Sequence, residues 1–143
     1  MTEHPSPAVA AAPETPPAYP PAIRTTTMPA DTNPAGDIFG GWLMWQMDLA
    51  ATSVANLRSR GRCVTAAVDG MAFIRAVHVG DEVSLYAECV SVGRTSMKIT
   101  VEAWRRPRES DEMDKVTQAT FVSVAVDDYG KPRPVDPPRP APL

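Results

Sequence analysis

A carboxylate and two adjacent glycines lie close together in residues 33–41, which read NPAGDIFGG. Asp37 comes within one turn of the start of a predicted helix, and Gly40 and Gly41 mark that start. Glycine N–H groups at a helix N-terminus form an anion site that no side chain obstructs. A carboxylate beside such a site can deprotonate a water or attack a carbonyl, while the N–H groups stabilise the oxyanion. This pairing suits hydrolysis of an ester or a thioester.

The same residues also have purely structural interpretations. An Asp before a helix commonly caps it or lies in the favourable field of its dipole. Paired glycines commonly mark a tight turn or a close approach of two backbones. Asn33, in the sequence NPAG, can simply close an Asx turn. Spacing alone leaves these alternatives open.

The sequence does not favour a serine-based catalytic triad or a cysteine/histidine metal site. There is no GxSxG motif, and the two histidines are His4, in a proline-rich tail, and His78, just before a Gly80-Asp81 turn. A Ser/His/Asp triad is therefore not expected, and His78 is predicted to be a surface side chain. Cys63 and Cys89 lie singly in apolar runs without CxxC or Cys/His spacing, so free buried thiols are expected rather than a disulfide or zinc.

The element that must position Asp37 is a helix predicted over residues 40–57, with Gly61 marking its exit. Trp42, Met44 and Trp45 belong to an apolar run that leaves hardly any polar stripe, so we expect burial on nearly every face. Strand-like patterns precede and follow this helix. We predict strands at residues 23–28, 63–69, 70–77, 82–90, 95–106 and 116–126.

Alternation is clearest in the later strands, where Met97, Ile99 and Val101 are separated by polar residues, so one face of that strand should be wet. Short turns between consecutive strands imply antiparallel pairing. The predicted fold class is α+β, with one long buried helix wrapped by an antiparallel sheet of about five or six strands.

Proline content divides the chain, since seven of its 16 prolines lie in residues 1–21 and six in 131–143. We therefore predict one domain at 22–130 between two disordered or extended tails. The carboxy-terminal PPRPAP could bind a proline-reading domain, but a plain tail is the commoner interpretation. A core of this size also makes an oligomer plausible.

Charge and hydropathy exclude several classes of function. The 143 residues carry 14 Lys and Arg against 17 Asp and Glu, a net charge of −3, which provides no basic field for nucleic acid or an anionic membrane. No run approaches about 18 apolar residues, and the amino-terminal Ala/Pro stretch does not resemble a signal peptide. A cytoplasmic location is expected.

Three segments together resemble the hotdog-fold acyl-coenzyme A thioesterases, in particular the small single-domain bacterial type. They are residues 25–51, which include GDIFGG, residues 64–83 and residues 92–104. The likeness extends from about Arg24 to Val126. It implies a long helix wrapped by an antiparallel sheet, two protomers that form a continuous sheet with active sites at their interface, and further assembly into hexamers.

The resemblance also assigns residues. It implies that Asp37 is the essential acid, that the backbone N–H groups around Gly40 and Gly41 are oxyanion donors, and that Asn33 belongs to the active-site loop. The turn formed by Gly93, Arg94, Thr95 and Ser96 is implied to lie near the phosphates of coenzyme A, and Arg75 is a further candidate cation. This chain has Ala76 where relatives commonly have proline. No metal or organic cofactor is implied.

The implied function is hydrolysis of acyl-CoA to free fatty acid and CoA, with Asp37 as general base or nucleophile. The principal alternative is a non-catalytic acyl-CoA binding or sensing module. A hotdog hydratase or dehydratase would be expected to carry a histidine near an acid, and the sequence suggests none. The acyl pocket is not assigned: Trp42, Met44, Trp45 and Phe73 could line a tunnel but are more commonly plain core.

Overall fold

The computed structural model describes residues 14–138 and consists of one long helix packed on one sheet. The helix, α1, spans Gly40–Ser59. The strands are β1 (Ile23–Thr26), β2 (Cys63–Asp69), β3 (Glu82–Val92), β4 (Ser96–Arg106) and β5 (Asp114–Ala125). All neighbouring pairs are antiparallel, in the order β1-β3-β4-β5-β2. The predicted α+β architecture is confirmed, with five strands.

The core lies between α1 and the inner face of the sheet. Met97, Ile99 and Val101 of β4 are fully buried there, as their alternation predicts. Met47 and Ala51 of α1 are equally buried against them, and the small alanine brings the helix close to the strands. Alternation therefore identified the correct inner face of the central strand.

The outer side of α1 is less buried than predicted. Trp45 and Leu57 are 57% and 68% exposed, whereas Trp42 and Leu43 are buried. A single sheet covers only one side of a helix, so the expectation of burial on nearly every face is wrong for one protomer. Large apolar side chains consequently remain at the surface.

Residues 70–77, predicted to form a strand, form a loop instead. Gly70 adopts a positive φ of +74° directly after β2, which ends the extended backbone. The loop is tied to the sheet by isolated bonds: the N–H of Ile74 donates to the carbonyl of Val116 at 2.9 Å, and Thr117 Oγ1 donates to the carbonyl of Ala72 at 2.8 Å. The apolar residues of this segment thus make the contacts of a packed loop and do not form a strand of the sheet.

The segment after residue 130 packs on the domain, which corrects the prediction of a disordered tail for its first residues. Val135 is only 2% exposed, and its N–H donates to the carbonyl of Arg94 at 2.9 Å. Arg58 makes two hydrogen bonds to Asp136, at 2.7 and 3.0 Å, which hold the pKa of that carboxyl below its ordinary value. The predicted tails at residues 1–13 and 139–143 lie outside the described residues.

Arg133 fastens the end of α1. Its guanidinium donates to the carbonyl of Ser59 at 3.1 Å and to that of Arg62 at 3.2 Å, and its Nε donates to the carbonyl of Val126 at 2.9 Å. A Cβ on Gly61 would lie 2.5 Å from this guanidinium, so a larger residue there would displace the end of the Arg133 side chain. The left-handed residue at the helix exit is Arg60 instead, with φ of 57°.

Both cysteines of the described chain are free thiols, as predicted. Cys63 is buried and its Sγ lies 3.1 Å from Ser59 Oγ, whereas Cys89 is only partly buried. No helix among residues 14–138 is both long and apolar enough to cross a membrane.

Candidate active site

Asn33 builds the loop that carries Asp37. Its Oδ1 accepts hydrogen bonds from the N–H of Ala35 at 3.0 Å and from the N–H of Asp37 at 3.1 Å. Its own N–H donates to the Asp37 carbonyl at 2.7 Å. Gly36 lies within this loop at φ +89°, a conformation that strains other residues. The Asx turn predicted as one alternative is therefore present, and it fixes the backbone of Asp37.

The first turn of α1 presents free backbone donors. Phe39 is its N-cap residue with extended backbone, and no side chain caps the helix. The N–H groups of Trp42 and Leu43 donate to the Phe39 carbonyl at 3.1 and 3.4 Å. The N–H groups of Gly40 and Gly41 have no acceptor among the described residues. They lie at the positive end of the helix dipole, where an anionic oxygen would be stabilised.

The carboxylate of Asp37 does not cap the helix. Its side chain is 52% exposed and accepts no hydrogen bond from the first turn of α1. Its contact is with His78, whose Nδ1 lies 3.6 Å from Asp37 Oδ1. The capping interpretation is thus wrong, and the carboxylate is free to meet a ligand.

His78 is held in place through its backbone. Its N–H donates to Oδ2 of the buried Asp81 at 2.9 Å, and its carbonyl accepts from Thr27 Oγ1 at 2.8 Å. The side chain is exposed, as predicted, yet it faces Asp37. The expectation that no histidine lies near an acid is therefore wrong. No described serine hydroxyl bonds to His78 to complete a triad. The Gly80-Asp81 sequence predicts that His78 lies near a turn, but it does not predict the contact of His78 with Asp37.

A cavity of about 210 Å³ opens beside the start of α1. Gly40, Phe73 and Arg75 contribute to its wall, and a Cβ on Gly40 would lie 3.3 Å from Cζ of Phe73. Nη1 of Arg75 donates to the Lys115 carbonyl at 2.6 Å and lies 3.6 Å from Glu14 Oε2. Arg75 is thus fixed at the end of the molecule that holds Asp37.

The other residues predicted to contact coenzyme A lie at the opposite end of the sheet. The turn of Gly93, Arg94, Thr95 and Ser96 joins β3 to β4, and the carbonyl of Thr95 accepts from the N–H of Ala125 at 2.9 Å. The cavity instead borders Val116, nine residues earlier in β5, which corresponds to about 30 Å along a strand. One protomer therefore brings Asn33, Asp37, Gly40, Gly41 and Arg75 to one end and leaves the 93–96 turn at the other.

Of the four large residues considered for an acyl tunnel, only Phe73 lines this cavity. Trp42 is buried in the core, whereas Met44 and Trp45 are exposed on the outer side of α1. Within residues 14–138, no three His, Cys, Asp or Glu side chains converge as a metal-binding group.

A family model described as the thioesterase superfamily matches residues 35–111, which contain Asp37, α1 and the 70–77 loop. The chain belongs to the thioesterase superfamily. The acyl-CoA thioester hydrolase YciA of Salmonella typhimurium is 51% identical over 116 residues, which cover 79% of this chain and 87% of that protein. The predicted family resemblance is confirmed.

Solved structures of this superfamily share the fold. The hexameric hotdog-fold thioesterase of Campylobacter jejuni is 38% identical with a TM-score of 0.78, covering 82% of this chain and 91% of that one. The acyl-CoA hydrolase of Staphylococcus aureus, solved with butyryl coenzyme A and coenzyme A, is 28% identical with a TM-score of 0.73, over 78% and 68%. The hotdog fold predicted for this thioesterase is confirmed.

Proposed function

We propose that the protein hydrolyses acyl-CoA thioesters to a free fatty acid and coenzyme A. The observation that carries this proposal is an uncapped helix start, with the N–H groups of Gly40 and Gly41 free, next to a carboxylate that caps nothing. Relatives of about 50% identity that are named acyl-CoA thioester hydrolases support the choice of substrate.

Asp37 acts on the thioester carbonyl in one of two ways. As general base, it removes a proton from water as the water oxygen bonds to the carbonyl carbon; as nucleophile, it forms an anhydride that water then cleaves. In both cases the carbonyl oxygen becomes an oxyanion, for which the N–H groups of Gly40 and Gly41 are the donors. Collapse breaks the C–S bond, and coenzyme A leaves as a thiolate, since a thiol with a pKa of about 8.5 needs little acid assistance.

Asn33 supports this chemistry through the loop and does not touch the reacting atoms. Its three hydrogen bonds fix the backbone on both sides of Gly36 and so the origin of the Asp37 side chain. It is a positioning residue. A misplacement of about 1 Å at a reacting group can cost about 100-fold in rate.

Assembly completes the site in this proposal. β2 is an edge strand with mostly exposed residues, and Val64 and Val68 on it are exposed apolar side chains. A second copy pairing along this edge would cover them and continue the sheet. The hexameric state of the Campylobacter jejuni relative supports a trimer of such dimers.

The coenzyme A moiety then spans residues of more than one protomer. Arg75 lies at the same end as Asp37 and contacts the coenzyme A bound at the site of its own protomer. The turn of Gly93, Arg94, Thr95 and Ser96 is about 30 Å away and contacts the coenzyme A bound at a neighbouring protomer's site. Arginine suits phosphate through its planar fork of donors. We place the protein in the cytoplasm, where acyl-CoA is available.

Release of thiol from acyl-CoA substrates, followed with Ellman's reagent, tests the proposed function. Acetyl-, hexanoyl-, dodecanoyl- and palmitoyl-CoA should include at least one substrate from which the protein releases thiol catalytically. Binding of these thioesters without any release would instead indicate an acyl-CoA binding module. A hydratase would convert an enoyl-CoA, supplied in a separate sample, without releasing thiol, and the loss of enoyl absorbance in that sample would reveal it.

A further inference from the structure

Arg105, near the end of β4, is a largely buried cation that the proposed chemistry does not use. Its side chain is 18% exposed, and Nη2 lies 3.5 Å from Oδ2 of Asp114. Its Nη1 donates to the carbonyl of Ala76 in the 70–77 loop, whereas Nε is buried and meets no acceptor among residues 14–138. A buried donor without a partner destabilises a fold. An apolar side chain of similar size would avoid that cost, so the stability of the fold does not explain this arginine.

The bond to Ala76 attaches the part of the loop that lies against the candidate active site. Earlier in the loop, residues 72, 74 and 75 are bonded to residues 115–117 of β5. The carbonyl of the buried Val77 accepts from the N–H of Ile38 at 3.1 Å. Ile38 directly follows Asp37, so a backbone bond joins the loop to the segment that carries the carboxylate. A shift of the loop at this point would therefore move the backbone of Asp37.

We propose that Arg105 is a positioning residue for the hydrolysis, which it supports by holding the backbone of Asp37 through the 70–77 loop. The inference rests on the proposed hydrolase function. Arg105 does not touch the reacting groups: its guanidinium fixes the Ala76 carbonyl, and the adjacent Val77 carbonyl holds Ile38. A hydrogen bond from an ionised donor is stronger than one between neutral groups, which suits it to restrain an exposed residue such as Ala76.

The backbone at Ala76 would accept a different restraint in place of this bond. The N–H of Ala76 donates to no acceptor among the described residues, and its φ is not positive. Proline requires both conditions, because it lacks an N–H and fixes φ at a negative value. Ala76→Pro would thus restrict the same backbone without the guanidinium. A positioning role predicts that this substitution compensates for the loss of Arg105, whereas a role of its positive charge in attracting substrate does not.

The test is steady-state hydrolysis of one acyl-CoA substrate by Arg105→Met, which removes the donors and keeps a long side chain. We expect kcat to fall by about 10- to 100-fold. KM should change little, because Arg75 stays bonded to the Lys115 carbonyl. The melting temperature should also change little, because the unpartnered Nε is removed together with the bond. Adding Ala76→Pro to Arg105→Met should restore most of the lost kcat, and Ala76→Pro alone should leave kcat unchanged.

Arg106→Met is the matched control, because it makes the same substitution at the next residue of the strand. Nη2 of Arg106 lies 3.3 Å from Oε2 of Glu82, and its Nη1 donates to the Ser110 carbonyl at 2.9 Å, so its contacts are away from the 70–77 loop. Its kcat should be that of the unaltered protein. Hydrogen exchange of the Ile38 N–H gives a readout that does not depend on turnover. Exchange should become about 10- to 100-fold faster in Arg105→Met, as expected for the loss of a hydrogen bond to a charged group, and stay unchanged in Arg106→Met.

An unchanged kcat in folded Arg105→Met would overturn the inference, as would an equal loss in Arg106→Met or a failure of Ala76→Pro to recover activity. If Arg105→Met does not fold, Arg105→Lys takes its place, since it keeps a cation beside Asp114 without the planar fork of donors. Ala76→Pro must then raise the kcat of Arg105→Lys, and no increase would overturn the inference. Absence of thiol release by the unaltered protein would instead remove the proposed hydrolase function, while the exchange of the Ile38 N–H would still report whether Arg105 holds the loop.

Discussion

The imidazole Nδ1 of His78 lies 3.6 Å from the carboxylate Oδ1 of Asp37. The two residues come from separate loops, and the hydrogen bonds of Asn33 to one and of Asp81 to the other hold their backbones. Both side chains are more than half exposed, so solvent screens the interaction. His78 therefore influences the surroundings of Asp37 without forming a buried pair with it.

Replacement of His78 should consequently have a small effect. An exposed ion pair contributes about 0–1 kcal/mol, so His78→Ala should change kcat/KM by less than about fivefold. Steady-state kinetics with one acyl-CoA substrate measures this, with His78→Gln as the variant that keeps a hydrogen-bonding side chain. A loss as large as that caused by replacing Asp37 would contradict the account and place His78 among the catalytic groups.

Replacement of Asn33 should reduce activity without unfolding the protein. Asn33→Ala removes the acceptor for the N–H groups of Ala35 and Asp37, so the loop loses its fixed shape. We expect kcat/KM to fall by about 10- to 100-fold, while the melting temperature changes little because the loop is exposed. Asn33→Asp retains an acceptor oxygen and should keep more activity than Asn33→Ala. Full activity in Asn33→Ala would show that this turn does not position Asp37.

A charge on the edge of β2 should prevent assembly. Lysine on an edge strand blocks pairing with another edge, so Val68→Lys should lower the mass measured by sedimentation velocity. Tyr129→Lys is the control, since Tyr129 is exposed in the turn after β5, eight residues beyond Phe121, which pairs with Val68, and it should leave the mass unchanged. Assembly of Val68→Lys to the same mass as the unaltered protein would rule out this edge as the interface.

Removal of the Arg133 side chain should destabilise the fold and leave the chemistry intact. Arg133→Ala loses its bonds to the carbonyls of Ser59, Arg62 and Val126, including acceptors at the end of α1. We expect the free energy of unfolding to fall by about 2–4 kcal/mol, measured by thermal or denaturant unfolding. Lys131→Ala, at an exposed position nearby, should have little effect. Equal stability of both variants would contradict the fastening role of Arg133.

Local sequence patterns predicted the inner face of the central strand and the position of α1. Alternation placed Met97, Ile99 and Val101 on the inner face, and the apolar run after Gly40 located α1 to within two residues at its end. The strand predicted at residues 70–77 was wrong because a run of apolar residues cannot distinguish a strand from a loop whose side chains pack on the domain. The prediction that α1 is buried on nearly every face was wrong for one protomer. An apolar helix face can be buried against another protomer, and the sequence pattern does not distinguish that burial from burial within the protomer.

The site was predictable in its parts and not in its geometry. The sequence NPAGDIFGG placed an acid and free donors in one turn, but it could not show whether Asp37 caps the helix. The contact of His78 with Asp37 joins loops that are distant along the chain, and no periodicity encodes it. The separation of Arg75 from the 93–96 turn follows from the antiparallel course of β5, which required the sheet order.

The most direct test of the central claim is thiol release from acyl-CoA by the unaltered protein and by Asp37→Asn. Because Asp37 bonds to no helix N–H group through its side chain, the substitution should leave the melting temperature and the assembly unchanged. Loss of general base catalysis should lower kcat by about 100- to 10,000-fold. That loss in a folded variant would establish Asp37 as the catalytic carboxylate of a thioesterase. Release by Asp37→Asn at the rate of the unaltered protein would contradict the account.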